Sequence, residues 1–195
     1  MQEREGGNAA SAAALATGCS LVEAVEQDIW TWLNEFVTVN NTFYAGKFPP
    51  CPYARGAILA SEVDVSVYRK GDIRAFIREK TLELRDDGKL STRVMAFPPR
   101  VQFQWGMTDF IETLNAEVIP DNLFLNTGVT KTMSSRYPGS RAGDCYFIVV
   151  ANRVGAVMAG SDALKKTDYY SNWPRDQYEL VVERRARMVE LYRAK

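Results

Sequence analysis

The sequence predicts an α+β domain (or the related α/β class): a single mixed sheet of about five strands packed by helices. Three observations carry this. Val22, Val25, Ile29, Trp32, Leu33 and Phe36 recur at helical spacing. Residues 57–68 alternate between apolar and polar side chains. Cys145-Tyr146-Phe147-Ile148-Val149-Val150 is an unbroken apolar run, the pattern of a strand covered on both faces.

Each element has its own local signal. Ser20-Leu21-Val22-Glu23 is a capping box that opens a helix over 21–38. A proline-rich loop, 47–56, leads to a strand over 57–68. Leu59, Ser61, Val63, Val65 and Val67 share one face of it, and Glu62, Asp64 and Ser66 the other. Gly71-Asp72 caps a second helix with Ile73, Phe76, Ile77 and Leu84 inward, and Asp86-Asp87-Gly88 stops it through a left-handed glycine. Residues 92–97 read as a strand ended by Pro98-Pro99, and Val101, Phe103 and Trp105 as a short one after it. Thr108 caps a third helix bearing Phe110, Ile111, Leu114 and Val118, ended by Pro120. Residues 123–125 form a short strand, and 130–143 a polar loop. After the run from Cys145, Asn152-Arg153 reads as a hairpin turn into a further strand over 154–158. Ser161-Asp162 caps a short helix, 169–174 is an aromatic connector, and Tyr178, Val181, Val182, Met188, Val189 and Tyr192 stripe a C-terminal helix.

The bulk composition bounds function. A length of 195 residues suits one domain, read as a globular unit over 20–195 behind a flexible leader over 1–19. A hydrophobic content of 46% is enough to fill its core. Lys plus Arg equals Asp plus Glu at 24 each, so no global charge draws the chain to nucleic acid or an anionic membrane. No apolar run approaches the roughly 20 residues of a membrane span. Cys19, Cys51 and Cys145 are odd in number and form no CxxC pair. That is neither a disulfide framework nor a zinc spacing, and it points to a reducing, cytoplasmic compartment. No cofactor or metal is assigned.

The chain contains no histidine. No Ser-His-Asp or Cys-His pair can therefore form within it, and any acid–base work falls to other groups. The sequence leaves open whether the protein is an enzyme. The loop Lys47-Phe48-Pro49-Pro50-Cys51-Pro52-Tyr53-Ala54-Arg55-Gly56 is the first candidate site. Cys51, bracketed by prolines in extended geometry, has Lys47 and Arg55 four residues to either side. A nearby cation would lower its thiol pKa and make it a nucleophile. Alternatively it is a small apolar residue at a rigid corner. Arg55 can clamp an anion with or without the thiol.

The second candidate is the loop 131–141, where Lys131, Arg136 and Arg141 with Ser134 and Ser135 suit a phosphate or carboxylate. The competing reading is an ordinary solvated loop. Glu62 and Asp64 lie about 7 Å apart on one strand face, but no third ligand accompanies them, and the wet face of a sheet explains them as well.

Cys51-Pro52-Tyr53-Ala54 and Arg136-Tyr137-Pro138 carry a resemblance. In order and content the region 21–165 resembles a bacterial domain family of unestablished activity marked by a Cys-Pro-Phe-Ala motif and a later Tyr-Pro loop. The chain lacks the histidine and the Asn-Arg-Ser-Pro run expected near the second motif. The resemblance thus implies an arrangement alone: the two loops meet over one end of the sheet.

These features support two functional expectations. In the first, a small anionic ligand binds between the Cys51 loop and the 131–141 loop through Lys47, Arg55, Lys131, Ser134, Ser135, Arg136 and Arg141. In the second, the protein is a non-catalytic structural or assembly subunit, a homo-oligomer or part of a complex. Zero net charge and surface aromatics such as Trp105, Tyr169 and Trp173 suit that role.

Overall fold

The fold was obtained as a computed structural model, which describes residues 21–97, 106–129 and 146–193. The leader over 1–19, the Ser20 cap, the strand around Val101–Trp105 and the 131–141 loop lie outside the described residues.

Helix α1 spans Leu21–Trp32 and continues as a π turn over Leu33–Val37. A 3-10 turn, Thr42–Tyr44, and a short helix α2, Ala54–Leu59, come next. Then come β1 (Val63–Val67), α3 (Ile73–Asp86), β2 (Thr92–Phe97), α4 (Met107–Val118), β3 (Leu123–Val129) and β4 (Phe147–Arg153). The last elements are α5 (Val154–Leu164), α6 (Arg175–Tyr178), a π turn over Glu179–Glu183 and α7 (Arg184–Arg193).

The sheet is mixed, with strand order β1-β2-β4-β3. β1 and β2 pair in parallel through the α3 crossover, with Val65 opposite Val94. β4 runs antiparallel to both β2 and β3. The expected α+β class with one mixed sheet is what forms, with four strands among the described residues rather than about five.

Strand alternation then sorts the core. Val94, Ala96 and Ile148 face α1, where Val25, Ile29, Trp32, Leu33 and Phe36 meet them. Met95, Phe97, Val149, Leu123 and Leu125 face the other way, onto Ile77 and Leu84 of α3 and Ile111, Leu114 and Val118 of α4. A smaller cluster of Ile119, Phe124, Val154 and Val189 seats α5 and α7 beside β3.

Several expectations are corrected. Residues 57–59 are helical, and only 63–67 form the strand. Ser61, at φ 55°, turns the chain between the two. The anticipated fifth strand, 154–158, is the first half of α5. Val154, Met158 and Ser161 pack inward while Ala156 is exposed, a helical rather than a two-residue rhythm. Ser161-Asp162 is interior to that helix. β3 is longer than anticipated. Helix α4 starts one residue after Gly106, whose φ of 75° makes it the cap in place of Thr108. Tyr169, expected on the surface, is buried.

The end of α3 departs from the expected glycine stop. Asp72 caps its start, accepting from the Ala75 amide at 2.7 Å. At the other end Arg153 takes the place of a cap. Its guanidinium donates to the carbonyls of Leu84 (2.7 Å), Arg85 (3.4 Å), Leu90 (3.3 Å) and Asp87. A cation among the last carbonyls also complements the helix dipole. The Asp87 carboxylate completes the stop by accepting from the Lys89 and Leu90 amides at 2.7 and 2.8 Å.

Two outcomes test this junction. Arg153→Met should cost about 1–3 kcal/mol, because it strands several helix-end carbonyls at once. A urea titration checks it, and an unshifted midpoint would count against the capping role. The Leu90 and Lys89 amides also hold the Asp87 carboxyl below its ordinary pKa. A lowered folded-state pKa stabilises above the unfolded value and loses that contribution as pH falls through the folded one. The acid branch of the stability profile should therefore flatten in Asp87→Asn relative to the parent, read from melts below the usual aspartate range.

Candidate functional site

The proline loop is built as a corner. The Cys51 amide donates to Val37 O at 3.1 Å and the Ala54 amide to Cys51 O at 3.2 Å. The Tyr169 hydroxyl donates to Pro50 O. The Tyr169 ring stacks on Tyr44 with centroids 4.6 Å apart, and Phe48 meets it edge-on at 5.7 Å. Lys47 Nζ lies 2.7 Å from the Asp168 carboxylate. Asn172 donates to Phe43 O at 2.9 Å. The loop 41–53 is thus fastened to 168–173 by rings and hydrogen bonds. Ring pairs of this kind add about 0.5–1.5 kcal/mol each beyond their buried area.

Tyr53 ties the same corner to α5. Its hydroxyl donates to Gly160 O at 3.2 Å. A Cβ at Gly160 would stand only 2.8 Å from the Tyr53 ring, so the close approach requires glycine there.

This geometry sorts the expected site residues. Cys51 has exposed surface, yet the corner crowds its sulfur. Desolvation raises its thiol pKa, and the Tyr53 and Ala54 amides offset this only in part. Exposure of the residue and crowding of its sulfur pull in opposite directions. The net direction is upward, and no cation contributes to it. The anticipated lowering by Lys47 or Arg55 is therefore corrected. Lys47 is committed to Asp168, whose carboxyl it holds below the ordinary range, and Arg55 lines a separate groove. Lys131, Ser134, Ser135, Arg136 and Arg141 lie outside the described residues.

The Arg55 groove, of about 380 Å³, runs between the π turn of α1 and α2. Asn34 and Thr38 form one wall, Arg55, Ile58 and Leu59 the other, with Val39 at the end. Leu59 is 79% exposed and Val39 49%. The Asn34 amide donates to Trp30 O and the Thr38 hydroxyl to Asn34 O, both at 2.9 Å. Both side chains thus donate within their own helix, so Arg55 is the charged donor of this groove. Among the described residues no carboxylate pairs with it.

Two further polar features are structural. Asp64 accepts from the Ser66 hydroxyl at 2.9 Å and stands 2.9 Å from Arg93 Nε, an ion pair without hydrogen-bond geometry. Arg93 also meets Glu83 at 2.5 Å, so Asp64 belongs to an ion-pair network between β1, β2 and α3. Arg185, only 8% exposed, donates to the Ser161 hydroxyl, and its Nε has no acceptor among the described residues. Burial lowers its pKa and the neighbouring Tyr170 partly opposes that. It joins α7 to α5 at the cost of a buried charge.

The sequence reading missed Asn34, Thr38, Val39, Ile58 and Leu59. The available signal was the four-residue spacing of Arg55 and Leu59, which places both on one face of a helix. Reading 57–59 as strand hid it. No family model matches this chain, and no curated protein or solved structure does either.

A raised thiol pKa means little thiolate at neutral pH. Peptide-resolved alkylation of Cys51 by iodoacetamide should run slower than that of a free thiol at neutral pH, gaining on it as pH rises. Faster modification than a free thiol would show an activated cysteine.

Proposed function

We propose that this protein is a non-enzymatic binding module for an anionic amphiphile, held in the groove between the π turn of α1 and α2. The ligand class is a carboxylate, sulfonate or phosphate head on an apolar body. The observation that carries the reading is Arg55, a guanidinium without a carboxylate partner among the described residues, beside exposed Val39 and Leu59. One cation with apolar walls asks for one charged head and a greasy tail. π turns also recur at binding sites, since the extra residue redirects side chains on one face of a helix.

Binding rather than catalysis is supported by three features together. The chain has no histidine, the Cys51 thiol is raised, and Lys47 is engaged by Asp168. Arg136 and Arg141, outside the described residues, are further candidate cations for such a head on the resemblance to the Cys-Pro-Phe-Ala family. The odd number of cysteines, with no CxxC pair, suits a reducing, cytoplasmic setting. No helix among the described residues is long and apolar enough to cross a membrane.

Calorimetric titration with decanoate, and with decanol as the uncharged control, tests the reading. Decanoate should bind more tightly than decanol. Arg55→Ala should weaken decanoate by about 3- to 10-fold, a screened charge-assisted contact at an exposed site. Added salt should weaken it further in the parent. Equal decanoate affinity in the parent and Arg55→Ala would overturn the assignment.

A further inference from the structure

Helices α4 and α7 enclose a second groove, of about 540 Å³, which shares no residue with the Arg55 groove. Its α4 wall carries Asp109 and Glu112, and its α7 wall Arg184, Arg187 and Leu191. One ion pair closes across it within the chain, between Arg184 and Glu112. That leaves one group on each wall without a partner across the groove. Among the described residues Asp109 has no ion-pair partner, and Arg187 reaches only Glu183 of the preceding π turn, at 3.9 Å.

Apolar surface frames these charges. Leu180 is 60% exposed and Leu191 59%. Leu180, Arg184, Arg187 and Leu191 succeed one another at spacings of four, three and four, a single stripe of the C-terminal helical segment. Two leucines about 16 Å apart along a helix axis thus flank two arginines, with an acidic wall beside them.

We propose that this face is a two-fold interface between two copies of the chain. The argument is charge complementarity. A uniformly acidic partner would meet Arg187 well but would face Asp109 and Glu112 with like charge. A uniformly basic partner would have the opposite fault. A partner that fits must carry both signs on two adjacent walls, and this chain does so. An isologous two-fold contact pairs each residue i with j and each j with i. It sets Asp109 of each copy against Arg187 of the other, twice, and buries two exposed leucines from each copy. The zero formal net charge removes long-range repulsion between the copies.

The test is sedimentation equilibrium on the full chain across a micromolar concentration series. The parent should dimerise. Arg187→Glu and Asp109→Arg should each weaken the dimer at least about tenfold, since each sets like charges face to face in two places. The combined variant, with the charges exchanged, should recover dimerisation. Leu191→Ser should also weaken it, and it changes no charge. Thermal melts of every variant confirm folding, and decanoate titration of Arg187→Glu should match the parent, which separates this surface from the Arg55 groove. A parent that stays monomeric, or a combined variant as weak as the single ones, would overturn the proposal.

Discussion

Strand β4 hydrogen-bonds along both edges, to β2 on one side and β3 on the other, and the rest of the molecule is placed by that constraint. Because successive side chains of a strand point to opposite faces, those of β4 divide between two cores. Ile148 meets α1 and its aromatic surroundings, while Val149 and Ala151 meet α3 and α4. Its last residue, Arg153, then reaches the carbonyl end of α3 and starts the turn into α5. One side chain thus joins the end of the central strand to the end of the crossover helix. A helix end that would otherwise lack partners is satisfied by a strand distant in sequence.

The two grooves arise from what the cores leave uncovered. On the α1 side, the proline corner is committed to structure: Tyr44, Phe48 and Tyr169 fill it, and Lys47 and the Pro50 carbonyl are tied to 168–169. The corner's contacts support α2, and Arg55 and Leu59, one turn further on, are what it holds out to solvent. On another flank α7 is anchored to α5 by the buried contact of Arg185 with Ser161. That anchor leaves Arg187 and Leu191 along the α4 wall. In both places an ordered, inward-facing network fixes the direction of an outward-facing apolar and charged edge.

Legibility in the sequence tracked the strength of local patterns. Residues 92–97 read as a strand with the correct bounds, because five consecutive positions are apolar or long-chained and Pro98 ends them. The inner faces of α3 and α4 were also legible, since Ile73, Ile77, Leu84, Ile111, Leu114 and Val118 keep a helical rhythm over three turns. Reading failed where segments are short. The alternation of the β1 strand extends back over residues 57–59, yet a short helix and a left-handed Ser61 precede the strand. Residues 154–158 are as compatible with a strand as with a helix until Ala156 is seen exposed between the inward-packed Val154 and Met158. Over five residues, periods of two and of three to four are hard to tell apart.

The sequence by itself determined the fold class, the inner faces of the longer helices and the absence of imidazole chemistry. These rest on local periodicity and on composition, which need no knowledge of neighbours. Only the tertiary structure decided what the candidate residues do. Lys47 and Asp168 lie 121 positions apart, and Arg153 caps a helix that ends far upstream. The thiol of Cys51 is raised by atoms that only folding gathers round it, not tuned by the cations beside it in sequence. Long-range ionic partners, desolvation and grooves between elements are properties of through-space neighbours, which spacing along the chain shows only within a single helix.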